Sequence, residues 1–306
     1  MHPPIPHLRL RLTLRATAPA RLPPFKGSLL RGAFGHALRR AVCAMGPEQP
    51  CGTCRLRRAC VYTRIFETFI EEEPPPFLKG LTTAPRPYVF EPADDTVLFA
   101  TGDPLRFDLL LFGQAIDLEP YVILAVERSA AAGLGRERFP FVLDEALALP
   151  PGPPPEDGLP VSGLTLRLLT PTRIKINDRI AEPLPFRALA FAMLRRTLEM
   201  AHFHVPGAAV DWNFRPLLDL AAAVRVTHAD LAWRDWARYS NRQKTKIEMG
   251  GYVGTLHLEG DLKPFLPLLR TAEILHIGKG ATLGLGRLAI EAAVPCATMA
   301  KEDSPS

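Results

Sequence analysis

The chain has 306 residues, enough for about two domains, and each half is long enough to bury a core of its own. It contains no run of about 18 apolar residues, and its proline-rich N-terminus lacks the hydrophobic core of a signal peptide, so a membrane-spanning protein is excluded and we expect a cytoplasmic one. Thirty-seven lysines and arginines against 32 aspartates and glutamates give a formal net charge of +5, which suits a polyanionic partner.

A strand and a helix are predicted first along the chain. Leucines alternate with arginines and a threonine over residues 8–15, which is typical of a strand with one buried face. Ser28 can cap a helix that runs to about Cys43. One face of this helix is apolar and is formed by Leu30, Ala33, Phe34, Ala37 and Ala41. The opposite face is formed by Ser28, Gly32, Gly35, His36 and Arg39.

The two glycines on this polar face are unusual. Each costs a helix about 1 kcal/mol relative to alanine, so their presence indicates that something must approach the backbone closely. His36 lies beside them, and its imidazole could exchange a proton with a bound substrate near neutral pH. The alternative is a solvated histidine on a polar surface.

Four cysteines follow the predicted helix, at Cys43, Cys51, Cys54 and Cys60. In a cytoplasmic protein, clustered thiols indicate metal ligands rather than disulfides. We expect a structural zinc ion held by all four, with an iron–sulfur cluster or no metal as alternatives. Four cysteine ligands leave no open coordination position, so a structural role is favoured over a catalytic one.

A proline-rich connector at residues 151–158 divides the chain. We predict an N-terminal domain over residues 1–150, with the cysteine-rich insertion at about 43–60, a C-terminal domain over 159–296, and a tail over 297–306. Each domain shows the order strand, helix, strands, helix, strand, which predicts an α+β protein with two ferredoxin-like domains.

A short motif occurs once in each half, as Gly133-Leu-Gly-Arg136 and Gly284-Leu-Gly-Arg287. Each copy follows a predicted strand and helix and precedes another strand, which makes a chance match less probable. The predicted elements are 105–113, 117–132 and 139–143 for the first copy, and 252–260, 262–275 and 288–294 for the second. The second copy ends a glycine-rich stretch that begins at His276, a composition that suits contact with phosphates, although a tight connection also uses glycines.

The segment from Trp233 to Lys246 interleaves three aromatic residues with five cations. Such a stretch can stack bases and bind phosphates. The alternative is an amphipathic helix that buries Trp233 and Trp236.

Residues 25–39, 238–243, 250–254 and 278–287 together resemble the CRISPR-associated endoribonucleases that process precursor CRISPR RNA, the sixth Cas protein family of the RAMP superfamily. The middle stretches are similar to a subgroup with a four-cysteine insertion after the first helix. The resemblance covers nearly the whole chain.

This resemblance implies two ferredoxin-like domains with a cleft between them. It also implies metal-independent cleavage of CRISPR repeat RNA, in which a ribose 2′-OH attacks the adjacent phosphate and leaves a 2′,3′-cyclic phosphate and a 5′-OH. His36 occupies the position of the family's catalytic histidine, and Tyr239, Lys244 and Lys279 are candidates for the other catalytic roles. Effector-complex subunits are further expected partners, a membrane is not, and the protein is expected to be a monomer or homodimer.

RNA contacts are expected from cations and glycines of the same stretches, namely Lys26, Arg31, Arg39, Arg238, Arg242, Lys246, Gly278, Lys279, Gly280, Gly284, Gly286 and Arg287. A non-catalytic subunit of the same fold, which grips CRISPR RNA in an effector complex, is the alternative. A third interpretation makes the cysteine cluster the working part of a redox or metal-dependent nucleic-acid protein, and it predicts that a chelator abolishes activity.

Overall fold

The computed structural model describes residues 3–46, 48–150, 152, 161–176, 179–235, 237–240 and 245–295. Two four-stranded antiparallel sheets organise these residues, one in each half of the chain. Each sheet buries one face under helices, which is the expected α+β arrangement.

The described residues of the first half form six strands and two α-helices: β1 His7–Ala16, β2 Ala20–Arg21, α1 Gly27–Val42, β3 Tyr88–Pro92, β4 Leu98–Phe99, β5 Pro104–Phe112, α2 Glu119–Ala131 and β6 Phe141–Leu149. The sheet order is β3-β5-β1-β6, while β2 and β4 pair separately. Leu10, Leu12 and Leu14 of β1 are fully buried and Arg11 and Arg15 are exposed, although Thr13 is buried as well. The predicted alternation is confirmed.

The second half repeats this plan with additional elements: β7 Val161–Thr172, β8 Lys175–Ile176, β9 Arg179–Ile180, α3 Phe186–His204, α4 Arg215–Ala223, β10 Arg225–Arg234, β11 Ala237–Ser240, β12 Thr245–Glu248, β13 Gly251–Glu259, α5 Leu266–Leu275 and β14 Leu288–Pro295. Its sheet order is β10-β13-β7-β14. In both halves the first main strand lies between the third and the fourth, which is the ferredoxin-like order. The predicted fold class is confirmed.

Shorter helical turns complete the described elements: 3₁₀ turns at Cys51–Thr53, Pro76–Leu78, Gly113–Leu118, Lys263–Phe265 and Ala281–Leu283, and a π-helical turn at Thr63–Glu67. No helix in the described part of the chain combines the length and the apolar character that crossing a membrane requires.

Two details of the predicted elements are wrong. Lys26, not Ser28, is the N-cap residue of α1, and its side chain makes no capping hydrogen bond. Residues 225–234, 237–240 and 245–248 are strands, so the segment that begins at Trp233 is not an amphipathic helix, and Trp233 is 38% exposed.

Apart from Gly152, the predicted connector at 151–158 lies outside the described residues, as does the tail, so the domain boundaries stay a prediction.

Each sheet has its own hydrophobic core, and a smaller cluster joins the two halves. Val89, Leu110 and Phe112 from the first half pack in this cluster with Met200 of α3 and Leu275 of α5. The two halves therefore share buried apolar surface.

Candidate functional site

A cleft of about 1730 Å³ opens on the helical side of the first half. Its walls are the segment 21–25 that precedes α1, then α1, α2, the turn at 133–139 that follows α2, and Met249 from the second half. A cleft of this size admits an extended ligand, since small-molecule pockets are usually about 300–1,000 Å³.

One stripe of α1 faces this cleft. Ser28, Gly32, His36 and Arg40 all line it, and their spacing of four residues places them above one another on a helix. His36 is exposed, and the place where a Cβ would stand at Gly32 is open space. The backbone of α1 is therefore accessible one turn before the histidine, as the sequence predicted for this glycine.

The rest of the predicted polar face of α1 is covered. A Cβ at Gly35 would overlap the ring of Phe66, which stacks with the rings of Tyr62 and Tyr88. Arg39 donates from Nη2 to the carbonyl oxygen of Gln49 at 2.9 Å. The prediction that both residues share the face of His36 is wrong, because Phe66 packs on Gly35 and Gln49, from between the first two cysteines, binds Arg39.

Five arginines line the cleft with His36: Arg21, Arg40, Arg128, Arg136 and Arg138. All five are exposed, and none forms an ion pair with a carboxylate among the described residues. Within the same described residues, Glu137 is the single acidic residue of the lining. A concave surface lined by unpaired charges of one sign raises the local concentration of the opposite charge, so the cleft suits a polyanion. Sequence reasoning missed these five residues, although Arg40 stands one turn after His36 and Arg136 belongs to the repeated motif.

Comparison with known proteins identifies the family. Residues 166–288 match the family model of the CRISPR-associated endoribonuclease Cas6, and residues 5–156 match a model described as an N-terminal domain. The C-terminal half of the chain contains a Cas6 endoribonuclease domain. The protein is thus an endoribonuclease of CRISPR RNA processing, and the resemblance stated from its motifs is confirmed.

Solved Cas6 structures share its fold over nearly the whole chain. Cas6 of Thermus thermophilus gives a TM-score of 0.54 at 16% identity, with 94% of this chain and 99% of that chain covered. A product complex of the same Cas6 gives 0.57 at 19% identity, with 93% and 98% covered. A partial Cas6-RT-Cas1–Cas2 complex gives 0.56 at 14% identity, with 94% of this chain and 46% of that chain covered. No curated protein matches the chain by sequence.

Three cations that were expected to bind RNA hold this Cas6 fold together instead. Lys26 is fully buried and donates from Nζ to the carbonyl oxygens of Pro24 and Asp94, and burial lowers its pKa. The guanidinium of Arg31 lies 4.6 Å from the ring centre of Phe66. With Arg39, these side chains are occupied within the protein, which corrects the prediction made for them.

The C-terminal glycine loop is largely internal. Gly284 and Gly286 are buried, and a Cβ would overlap the carbonyl oxygen of Phe90 at the first position and that of Ile277 at the second. Their N–H groups donate to the carbonyl oxygens of Ala281 and Pro171 at 2.9 and 3.1 Å. Neither amide is available to a phosphate, so the expected RNA contact of these two glycines is corrected to a packing role.

The remaining members of that loop are more accessible. Gly278 and Lys279 are exposed and Gly280 is half-buried, but none of them is among the described residues that line the His36 cleft. Arg287 is partly exposed, and its Nη2 lies 3.5 Å from Oε2 of Glu91. These residues are therefore not part of the described lining of the candidate site.

Glu91 links the two halves through a buried network. Its carboxylate is 3% exposed and accepts from Nη1 of Arg9 at 2.6 Å, and its Oε1 lies 2.9 Å from Nε2 of the fully buried His276. Burial alone would raise the pKa of Glu91, but the hydrogen bonds of His276 and Arg9 and the charge of Arg287 outweigh it and lower this pKa from 4.5 to about 2. The carboxylate is therefore ionised and fully engaged in structure. Sequence reasoning missed this pair.

Tyr239, a predicted catalytic residue of the second half, belongs to β11, which pairs with β12 in a hairpin. Tyr239 pairs with Lys246, and Arg238 with Ile247, but the side chains of these strands lie outside the described residues. Lys244 and Arg242 also lie outside them. The hairpin begins and ends near the cleft, because Met249 directly follows β12 and is part of the lining.

The four clustered cysteines are free and half-buried. Burial raises the pKa of the Cys51 thiol, and the thiols of Cys43 and Cys60 lie close enough to add to that effect. In the described part of the chain, however, no three cysteine, histidine or acidic side chains stand close enough to share one metal ion. The four thiols are thus the right donors for a thiolate-bound metal, but they lie too far apart in this structure to coordinate one ion together.

Proposed function

We propose that this endoribonuclease cleaves CRISPR repeat RNA in the cleft that contains His36, without a catalytic metal ion. The observation that carries the proposal is the convergence of one exposed histidine, an open stretch of helix backbone and five unpaired arginines in a single cleft. Imidazole can transfer protons near neutral pH, and unpaired guanidinium groups bind phosphate. The match of residues 166–288 to the Cas6 endoribonuclease model supports an RNA substrate.

The reaction transfers two protons and exchanges one bond to phosphorus. The ribose 2′-oxygen loses its proton and bonds to the adjacent phosphorus, the bond from phosphorus to the 5′-oxygen breaks, and that oxygen gains a proton. The products are a 2′,3′-cyclic phosphate and a 5′-OH. His36 accepts the first proton or donates the second, and a general acid or base of this kind contributes about 10²–10⁴-fold to the rate.

The pentacoordinate phosphorane carries additional negative charge, which positively charged donors stabilise. Arg40 is suited to this role, because it follows His36 by four residues on the same face of α1. Tyr239 and Lys244 of the second half are the proposed source of the other proton transfer. Support comes from Tyr239, because it lies on β11, whose partner strand β12 is directly followed by Met249 of the cleft lining.

We also propose a structural metal ion, zinc rather than an iron–sulfur cluster, bound by Cys43, Cys51, Cys54 and Cys60. Four free thiols within residues 43–60 support it. Four thiolates would saturate the ion and stabilise the segment that covers α1, and no catalytic step passes through them.

By analogy with the partial Cas6-RT-Cas1–Cas2 complex, other Cas proteins are proposed partners.

The decisive experiment compares wild-type protein, His36→Ala and His228→Ala on labelled repeat RNA in EDTA, with binding measured separately. His228 is an exposed histidine of β10 outside the cleft and serves as the matched control. We expect wild type and the control to cut at one site with a 2′,3′-cyclic end. We expect His36→Ala to lose at least about 100-fold in rate while its affinity changes by less than about twofold.

Two outcomes would contradict the proposal. Cleavage that survives in His36→Ala would remove His36 from the chemistry, and binding without cleavage by wild type would favour a non-catalytic subunit. Elemental analysis of the same preparations tests the metal: one zinc per chain, absent after Cys51→Ser, supports the proposed ligands, and a metal-free wild type rejects them.

A further inference from the structure

We propose that the turn at residues 133–139, the N-terminal copy of the repeated glycine motif, is an anchor for the RNA sugar–phosphate backbone next to His36. Arg136 and Arg138 would hold phosphates there. This inference rests on the proposed function, because it assigns a substrate-binding element to the same cleft.

The turn is built to hold these two arginines in a defined position. Leu134 and Phe139 exchange two backbone hydrogen bonds, at 2.8 and 2.9 Å, which close the turn. Gly133 has a φ of +89°, and a Cβ there would overlap the carbonyl oxygen of Arg138. Arg138 itself has a φ of +56°, which is uncommon for a residue with a side chain and is tolerated when the surrounding structure imposes it.

The charges presented by the turn are available to a ligand. Arg136 and Arg138 are exposed in the cleft and have no carboxylate partner among the described residues. Two exposed arginines on the sheet of the same half are paired, Arg11 with Asp108 and Arg15 with Asp144, whereas Arg106 on that sheet is unpaired within the described part of the chain. The cleft brings five unpaired guanidinium groups to one concave surface, and their planar donors match phosphate oxygens.

The position of the turn gives the RNA a path along α1. Leu22 and Leu29 lie within 4 Å of the Cβ position of Gly135, so the turn stands at the N-terminal end of this helix. Arg40 is near the other end, about 18 Å away at 1.5 Å per residue from Ser28. His36 lies between the two cationic ends. An RNA backbone bound at both ends of α1 would pass over His36 and over the open surface at Gly32.

The two copies of the motif have thus taken different roles. The C-terminal copy is buried and its amides are used within the protein, as shown for Gly284 and Gly286. The N-terminal copy keeps its arginine in the cleft. The same local sequence makes a tight turn in both places, and only its surroundings decide whether the turn can meet a ligand.

The test measures the affinity and salt dependence of binding to repeat RNA that carries a 2′-deoxy group at the scissile position, which blocks cleavage. Variants are the double substitution Arg136→Gln/Arg138→Gln, its charge-preserving counterpart Arg136→Lys/Arg138→Lys, and the control Arg106→Gln. Arg106 is exposed on β5 outside the cleft and has no ion-pair partner among the described residues.

We expect the glutamine variant to raise Kd about tenfold or more and to reduce the slope of log K against log salt by about 1.4, which is two phosphate contacts at about 0.7 each for a single strand. The lysine variant should keep most of the slope, because it keeps the charge. The control should match wild type. Cleavage of ordinary repeat RNA at limiting concentration should fall with affinity and recover as RNA is added.

An unchanged Kd and slope in a glutamine variant that melts at the wild-type temperature would overturn the anchor. So would normal binding with slow cleavage at saturating RNA, since the arginines would then act in the chemistry. Neither result depends on whether His36 is catalytic, because the blocked RNA reports binding alone. Failure of the proposed function would instead appear as absence of cleavage by wild type.

Discussion

Two glycines of α1, three residues apart, have opposite surroundings. A side chain at Gly32 would enter the open cleft, whereas one at Gly35 would overlap the Phe66 ring. The helix turns by about 100° per residue, so three residues are enough to move a position off the exposed face when another segment packs there. The same residue type therefore serves ligand access at one position and close packing at the other.

Gly32→Ala is expected to raise the free energy of unfolding by about 1 kcal/mol, because alanine is the better helix former and meets no neighbour. The same methyl group should obstruct RNA and weaken its binding several-fold. Thermal melts followed by circular dichroism and filter binding measure the two effects. A stabilised variant with unchanged affinity would show that RNA does not cross this face.

Gly35→Ala is the matched comparison and should lower the melting temperature. Overpacking against an aromatic cluster costs about 1–3 kcal/mol, which exceeds the gain in helix propensity. Opposite shifts for the two glycines would establish which face of α1 is covered by the segment around Phe66.

At the scale of elements, the C-terminal glycine loop forms part of the fold. Its glycines have φ values of +74°, +91°, +88° and +70° at Gly278, Gly280, Gly284 and Gly286. The N-terminal end of α1 also packs on it, because a Cβ at Gly27 would overlap the carbonyl oxygen of Leu283. The loop thus fixes the position of the helix that carries His36.

Gly286→Ala is expected to lower the free energy of unfolding by about 3 kcal/mol or more, since the left-handed conformation costs about 1–2 kcal/mol and the overlap with Ile277 adds to it. Urea denaturation measures this loss. Lys279→Ala, at an exposed position of the same loop, should change it by less than about 0.5 kcal/mol. Similar behaviour of both variants would contradict the structural role of the loop.

Across the whole molecule, the buried Glu91 network and the apolar cluster around Met200 hold the two halves together. Glu91 stays ionised because Arg9, His276 and Arg287 surround it. Breaking a buried ion pair by removing one partner costs about 3–5 kcal/mol, because the remaining charge is left uncompensated. The Glu91 carboxylate is therefore one of two features that fix the relative position of the halves, beside the apolar cluster.

Glu91→Gln should lower the free energy of unfolding at pH 7 by about 3 kcal/mol and make the protein less sensitive to acid. The folded-state pKa of Glu91 is lowered from 4.5 to about 2, so its contribution is complete above pH 5 and is lost as pH falls toward 2. Burial also lowers the pKa of His276, which acts in the same direction. Urea titrations at pH 7, 5 and 3 should show a wild-type loss between pH 5 and 3 that exceeds that of the variant by about 2 kcal/mol. Parallel pH profiles would exclude Glu91 as the source.

The sequence alone was sufficient for the fold class, the family, the main helices and strands, and the place of His36 on the first helix. Each of these depends on local patterns: the alternation of leucine and arginine over residues 8–15 predicts a strand, and the apolar face that contains Leu30 and Phe34 predicts a helix. Sterics and amphipathicity act over a few residues, so a chain segment carries them within itself.

The tertiary structure decided which of these residues can meet a substrate. Phe66 covers Gly35, which lies 31 positions earlier in the sequence. His276 reaches Glu91 across 185 positions, and the cleft combines α1, the turn at 133–139 and Met249. Burial and charge pairing depend on contacts between distant segments, and no periodicity along the chain records them. For that reason identical Gly-Leu-Gly-Arg motifs form a loop with buried glycines in one half and an exposed cationic turn in the other.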